Sequence, residues 1–226
     1  MTPVSRTART TDLAPELRRR WAMTVAEARG TKGAEDPDPD PYAENLLARW
    51  DEPQRRYHTS HHLADVLHHI DELSDCALDL ATVQLAAWFH DAVYRPDRSE
   101  NEERSAALAE RALPELGVDA ARTAEVARLV RLTSTHDPAP EDLDGAVLCD
   151  ADLAVLAGSP EGYAAYAAAV REEYAFVPDP DFVVGRSAVL RQLLSLPRLF
   201  RTPLAYDWWE HIARRNLATE LDLLSG

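Results

Sequence analysis

The spacing of apolar residues predicts helices along almost the whole chain. Apolar positions recur every three or four residues, which is the period of a helix with one buried face. No alternation of polar and apolar residues is long enough to predict a convincing strand. The pattern therefore predicts an all-α fold with helices at about residues 13–29, 42–50, 57–73, 80–92, 99–116, 120–135, 143–157, 160–176, 181–195 and 205–224.

Two segments break this regular pattern. Residues 80–92, LATVQLAAWFHDA, are apolar on all sides, which predicts a buried helix. Residues 31–41 alternate Pro with Asp and predict a solvated acidic loop, because they cannot form a helix or bury apolar surface. The loop ends an N-terminal segment, residues 1–41, which also contains the first helix. A helical domain follows at 42–226. We predict that both belong to one globular unit.

Composition narrows the classes of partner. The chain has 226 residues, of which 46% are hydrophobic, enough for one large core. Its net charge of −15 argues against nucleic acid or an anionic membrane as a partner. The two cysteines form no disulfide framework, and no signal peptide or membrane span is visible. We therefore expect a cytoplasmic protein, and the sequence leaves a homo-oligomer open.

Residues 57–66, YHTSHHLADV, carry the first candidate chemistry. His58 and His62 are four residues apart, which on a helix places them on one face one turn apart. His62 borders the apolar arc that begins with Leu63, so it is the histidine expected to be buried. A buried imidazole needs a partner. That partner is either a metal ion or a backbone carbonyl.

Two further helices place titratable residues among apolar ones. His90 and Asp91 end the buried segment, and Asp150 and Asp152 interrupt residues 143–157. His90 and Asp91 have a simpler explanation, as a helix cap or as an internal His–Asp pair. The two aspartates lie about 200° apart around a helix, so one of them is solvated. A single metal site with nitrogen and oxygen ligands would relieve all these burial penalties together.

The order of these residues resembles the HD superfamily of metal-dependent phosphohydrolases. YHTSHHLADV is similar to the YHNxxHAxDV signature of cyclic nucleotide phosphodiesterases, FHDAVY to the HD doublet, and CDADLAVLAG to the segment with the last ligand. The closer resemblance is to a bacterial family of predicted HD phosphohydrolases. Its members carry Arg-x-Tyr-His, FHDAVY, NEERSA and DADLA in this order, which here spans about residues 42–220.

The resemblance implies a single-domain HD-type helical bundle and a role for each residue. His58 would be the general acid. Asp152, and not Asp150, would be the last ligand. Tyr94 stands where the phosphodiesterases have another histidine, so cyclic-nucleotide hydrolysis is not carried over. The implied metal ligands are His62, His90, Asp91 and Asp152.

Four more residues are expected around this centre. Arg55 suits bidentate phosphate binding, and His136 would add a second cation, unless it only caps a helix C-terminus. Glu102 would orient a ligand histidine, and Asp150 would be an outer-shell or capping residue.

These expectations define a metal-dependent phosphohydrolase. A divalent ion (Mn, Mg, Co, Fe, Ni or Zn, which the sequence does not distinguish) would activate a hydroxide that attacks a small-molecule phosphate ester, with nucleotides among the candidates. One alternative is a non-catalytic metal- and nucleotide-binding signalling module, which the presence of His58 and Arg55 disfavours. A helical interaction protein with a structural metal ranks last, because the ligand set lacks cysteine.

Overall fold

The structure is a computed structural model that describes residues 13–30 and 36–226. The acidic loop predicted at 31–41 lies partly outside these residues. The described part forms one all-α domain without strands, as predicted. Its helices are α1 (Ala14–Arg29), α2 (Asp40–Trp50), α3 (Ser60–Glu72), α4 (Leu80–Phe89), α5 (Asn101–Glu115), α6 (Ala120–Leu132), α7 (Leu143–Leu153), α8 (Pro160–Glu173), α9 (Asp179–Ser195) and α10 (Pro203–Ser225).

Helix α4 lies at the centre of the core. Trp88 and Phe89 are fully buried, and so is nearly every other side chain of this helix. Helices α1, α3, α6 and α7 pack around it. This agrees with the prediction from residues 80–92, because a helix with no polar face can only be stable when other elements cover every side.

The N-terminal helix contributes to the same core. The ring of Trp21 packs edge-on against Trp88, with 5.2 Å between the ring centroids, and its indole N–H donates to the Pro39 carbonyl at 2.9 Å. Helix α2 begins at Asp40, two residues before the predicted start, because Pro41 is tolerated in the first turn, where no intrahelical N–H bond is lost. The domain boundary at residue 41 stays a prediction.

Helix α3 starts later than the sequence predicts. The prediction of a helix over residues 57–73 is wrong at its start, since the helix begins at Ser60 and Thr59 is extended, with φ −111° and ψ 177°. His58 therefore does not share a helical face with His62. A 3₁₀ turn at Ala154–Ala157 likewise replaces the last turn predicted for α7.

Three elements bring the candidate residues together. Helix α3 packs against both α4 and α7, and α4 packs against α7. His62 is in the first turn of α3, His90 follows the last residue of α4, and Asp152 is near the end of α7. None of the described helices combines the length and apolar character needed to cross a membrane.

Candidate functional site

Four side chains from these helices converge on one point. The Nε2 atoms of His62 and His90 are 3.3 Å apart. Asp152 Oδ1 lies 3.1 Å from His62 Nε2 and 3.5 Å from His90 Nε2. Asp91 Oδ2 lies 3.3 Å from His90 Nε2 and 4.0 Å from His62 Nε2. The structure thus brings the ligand atoms of three expected metal ligands, His62, His90 and Asp152, within 4.8 Å of one another. Asp91, the fourth, lies against His90 at the side of this group.

The donor set fits a divalent cation. His90 Nδ1 lies 2.8 Å from the Ala87 carbonyl, which can only accept, so Nδ1 carries the proton and Nε2 presents its lone pair when the ring is neutral. Two facing imidazole nitrogens and two carboxylates need a positive charge between them. Ligands about 2.1 Å from an ion stand roughly 3.0–3.4 Å from one another. The three separations among His62, His90 and Asp152, 3.1–3.5 Å, fall near this range. Asp91 fits less closely, because its Oδ2 is 4.0 Å from His62 Nε2.

The electrostatics of the cluster favour the same positive charge. Burial alone would lower the pKa of His90, but the charges of Asp91 and Asp152 outweigh it and raise this pKa well above its ordinary value. Burial lowers the pKa of His62. Although burial opposes ionisation of the aspartates, His90 and its neighbours hold the pKa of both Asp91 and Asp152 below the ordinary value. The two carboxylates therefore favour a positive charge beside them, which a protonated His90 or a bound ion would supply.

The two aspartates of α7 have different surroundings. Asp152 faces the histidines, as the resemblance implies. Asp150 is fully buried and accepts hydrogen bonds from the backbone N–H groups of Arg201 (2.8 Å) and Thr202 (2.7 Å). The Asp150 carboxylate forms no hydrogen bond or ion pair with a candidate metal ligand, so the expectation that it supports a ligand is wrong. The alternative of a capping residue agrees with the structure, because the two N–H groups that it accepts from lie directly before α10. The opposed helix faces of residues 150 and 152 explain the difference.

His136 holds the second oxygen of Asp152. Its Nε2 lies 2.7 Å from Asp152 Oδ2, and its backbone N–H donates to the Leu132 carbonyl just after α6. The backbone φ of His136 is 50°, in the left-handed region that non-glycine residues seldom adopt. We expected His136 to bind phosphate. In the structure it contacts the carboxylate and orients it, as a histidine behind a metal ligand does.

His58 is held beside the cluster by a residue that the sequence did not suggest. Glu173, at the end of α8, accepts from the backbone N–H groups of Arg56, Tyr57 and His58 at 2.8–3.0 Å through Oε1. Its Oε2 lies 2.7 Å from His58 Nδ1 and 2.9 Å from the Tyr94 hydroxyl. This leaves His58 Nε2 directed towards the cluster, 3.9 Å from Asp91 Oδ2.

His58 and Glu173 also shift each other's pKa. Burial alone would lower the pKa of His58, but Asp91 and Glu173 raise it above its ordinary value. Burial would raise the pKa of Glu173, yet His58 and the backbone donors lower it to about 2. A faint signal was present in the sequence: Glu173 lies in the last turn of the helix predicted at 160–176, where the helix dipole disfavours a carboxylate without a partner.

Arg55 has a role other than the predicted one. The side chain of Arg55 is fully buried and lies between the rings of Trp50 and Tyr94. It donates to the carbonyls of His58 (2.9 Å) and Ala92 (3.4 Å), which argues against the predicted phosphate role. The guanidinium instead ties the His58 segment to the chain after Asp91.

Glu102 does not orient a histidine. It is half-buried near the start of α5 and forms no hydrogen bond or ion pair with any histidine of the described residues. The expectation for Glu102 is therefore wrong; the residues that contact ring nitrogens of the site are the Ala87 carbonyl at His90 and Glu173 at His58.

A cavity of about 470 Å³ opens next to His58. It lies between α8 and α9, and its walls are mainly apolar and aromatic. Comparison of the chain with protein-family models, with curated proteins and with solved structures finds no match.

Proposed function

We propose that this protein is a metal-dependent phosphohydrolase that cleaves a small-molecule phosphate ester, with a nucleotide among the candidate substrates. The observation that carries the proposal is the convergence of two imidazoles and two carboxylates beside a histidine that is positioned to give up a proton. The resemblance to the HD superfamily supports the same assignment, since the residues that it implies as ligands are the ones that converge.

His62, His90, Asp91 and Asp152 would hold the ion. A divalent ion bound there supplies a Lewis acid for the phosphoryl oxygen and lowers the pKa of a water molecule. The chain itself fixes the ligands: the Ala87 carbonyl sets the proton position on His90, and His136 orients Asp152.

His58 would protonate the leaving group. Hydrolysis forms a bond between phosphorus and a water oxygen and breaks the bond to the leaving oxygen, which needs a proton when the alcohol is a poor leaving group. Glu173 holds His58 Nδ1, so the proton for transfer is on Nε2, on the side of Asp91. The raised pKa of His58, which Asp91 and Glu173 cause against the effect of burial, favours the protonated imidazole that an acid requires.

The test combines metal analysis with a substrate panel. Purified protein should contain about one equivalent of metal and hydrolyse at least one ester in a panel of nucleotides and phosphate esters assayed with several divalent metals. His90→Ala and Asp91→Ala should lose both metal and activity. His68→Ala is the matched control, because His68 is an exposed histidine of the same helix as His62.

The outcomes separate the competing functions. Stoichiometric metal in both His90→Ala and Asp91→Ala would reject the ligand assignment. Metal binding together with nucleotide binding but no hydrolysis of any ester would favour the signalling module over the enzyme.

A further inference from the structure

The cavity beside His58 identifies the side of the site where a leaving group would sit. His58, the proposed acid, forms part of its wall, and the metal cluster begins 3.9 Å from His58 Nε2. A leaving oxygen that takes a proton from this atom must carry the rest of its group into the adjoining space. That space is about 470 Å³, within the usual range for pockets that bind small molecules.

The walls of the cavity are apolar. Tyr166, Tyr174 and Phe182 supply aromatic faces, and Val170 and Val189 supply aliphatic ones. Two exposed apolar residues are next to wall residues in the sequence: Phe176, 58% exposed, stacks on the Tyr174 ring at 5.9 Å, and Val184, 72% exposed, precedes Gly185. Exposed apolar side chains beside an apolar cavity are typical of a binding site.

Among the residues that the structure describes, the cavity wall offers no unpaired arginine or lysine. Besides His58, its basic wall residue is Arg186, which forms a bidentate ion pair with Glu220 at 2.8 and 2.9 Å and lies over the Tyr166 ring. Asp181 at the wall adds a negative charge. A second phosphate entering this space would meet one neutralised arginine and one carboxylate. Phosphate groups are normally met by unpaired arginine or lysine.

We infer that the cavity binds the leaving group of the substrate and selects an uncharged, apolar or aromatic alcohol over a phosphate. The favoured reaction is then hydrolysis of a phosphate monoester, not of a phosphoanhydride. This inference rests on the proposed function, because it takes the ion and His58 as the reacting side of the site.

The test compares esters whose alcohols have similar acidity but different apolar area. Wild-type kcat/KM for 2-phenylethyl phosphate should exceed that for ethyl phosphate by about 100-fold, because the phenyl ring becomes buried in the cavity. Pyrophosphate and ADP should be poorer substrates than the phenylethyl ester. Equal values for the two esters, or a preference for either anhydride, would overturn the inference.

Gly185 offers a variant that fills the cavity without disturbing the fold. It is a wall residue on α9, and a Cβ atom added there would meet nothing within 4 Å. Gly185→Leu also removes a glycine from a helix interior, so the protein should be at least as stable as wild type. The preference for 2-phenylethyl over ethyl phosphate should fall from about 100-fold to a few-fold. Ala164→Leu, at an exposed position of α8 outside the cavity, should keep it.

Binding of a non-hydrolysable ligand keeps the inference testable without turnover. Calorimetry should detect 2-phenylethylphosphonate binding to wild type and to Ala164→Leu, with affinity reduced at least tenfold in Gly185→Leu. Binding with this pattern but no hydrolysis of any ester would remove the proposed function and retain the cavity as an apolar ligand site. No binding to wild type, or equal binding to Gly185→Leu, would overturn the inference whatever the activity.

Discussion

Replacing Glu173 with glutamine tests how the proposed acid is positioned. Glutamine keeps an oxygen for the three backbone N–H groups of residues 56–58 but places a neutral NH₂ group against His58 Nδ1 and the Tyr94 hydroxyl. The carboxylate that holds a proton on Nδ1 is lost. We therefore expect the pKa of His58 to fall while the local backbone stays in place.

The structure allows a magnitude for this change. A carboxyl pKa of about 2 in the folded protein, against an ordinary value near 4.3, corresponds to about 3 kcal/mol of interaction with its surroundings. The backbone donors account for part of this, and Glu173→Gln retains them. The share of His58 is then about 1–2 kcal/mol, or roughly one pH unit in its pKa and on the order of tenfold in turnover at neutral pH.

The assay is a pH–rate profile on two esters. For an alkyl phosphate, the limb where activity is lost as His58 deprotonates should move about one pH unit lower in Glu173→Gln. A nitrophenyl phosphate should be affected much less, because nitrophenolate leaves without a proton. Metal content should match wild type. Glu172→Gln is the control, since the Glu172 side chain is 67% exposed and its carboxylate forms an ion pair only with Arg56 among the described residues, at 3.7 Å.

Two results would refute the reasoning about Glu173. Equal losses on the alkyl and nitrophenyl esters would mean that the carboxylate does not act through the proton of His58. Loss of metal from Glu173→Gln would mean that the pair maintains the ligand cluster and not the acid.

Three further predictions concern neighbouring residues. His58→Ala should lower turnover of an alkyl ester by about 10²–10⁴-fold with unchanged metal content and a smaller effect on a nitrophenyl ester; loss of the metal would make His58 a ligand. Asp152→Asn should lose metal, whereas Asp150→Asn should keep it. Asp150→Asn should lower the free energy of unfolding by about 1–3 kcal/mol in denaturant titration, because one backbone N–H before α10 loses its acceptor. The reverse pattern of metal loss would exchange the two roles. His136→Gly should weaken metal binding by about 10–100-fold, measured by competition with a chelator. Its free energy of unfolding should not fall, because glycine relieves the positive φ at this position. Unchanged metal affinity would show that Asp152 needs no orienting partner.

The helices and the residue types of the candidate site were predictable from the sequence. Hydropathy along the chain is a local property. An apolar run without a polar face identified the buried helix α4, and apolar periodicity identified the apolar arc of α3, without knowledge of their neighbours. The cost of burying an imidazole or a carboxylate is also local. It was enough to single out His62, His90 and Asp91. The prediction that one of Asp150 and Asp152 is solvated is wrong, because Asp150 is fully buried on the opposite face of α7, where backbone N–H groups satisfy its carboxylate.

The arrangement around these residues was decided only by tertiary structure. Glu173 is 115 residues from His58 in the sequence, and no periodicity links an acid at the end of α8 to the backbone before α3. Arg55 carries the charge that suits phosphate, but packing between two aromatic rings turned its donors to carbonyls instead. The cavity between α8 and α9 is likewise a property of two helices together. Contacts of this kind depend on which distant surfaces meet, and the spacing of residues along one element does not contain that information.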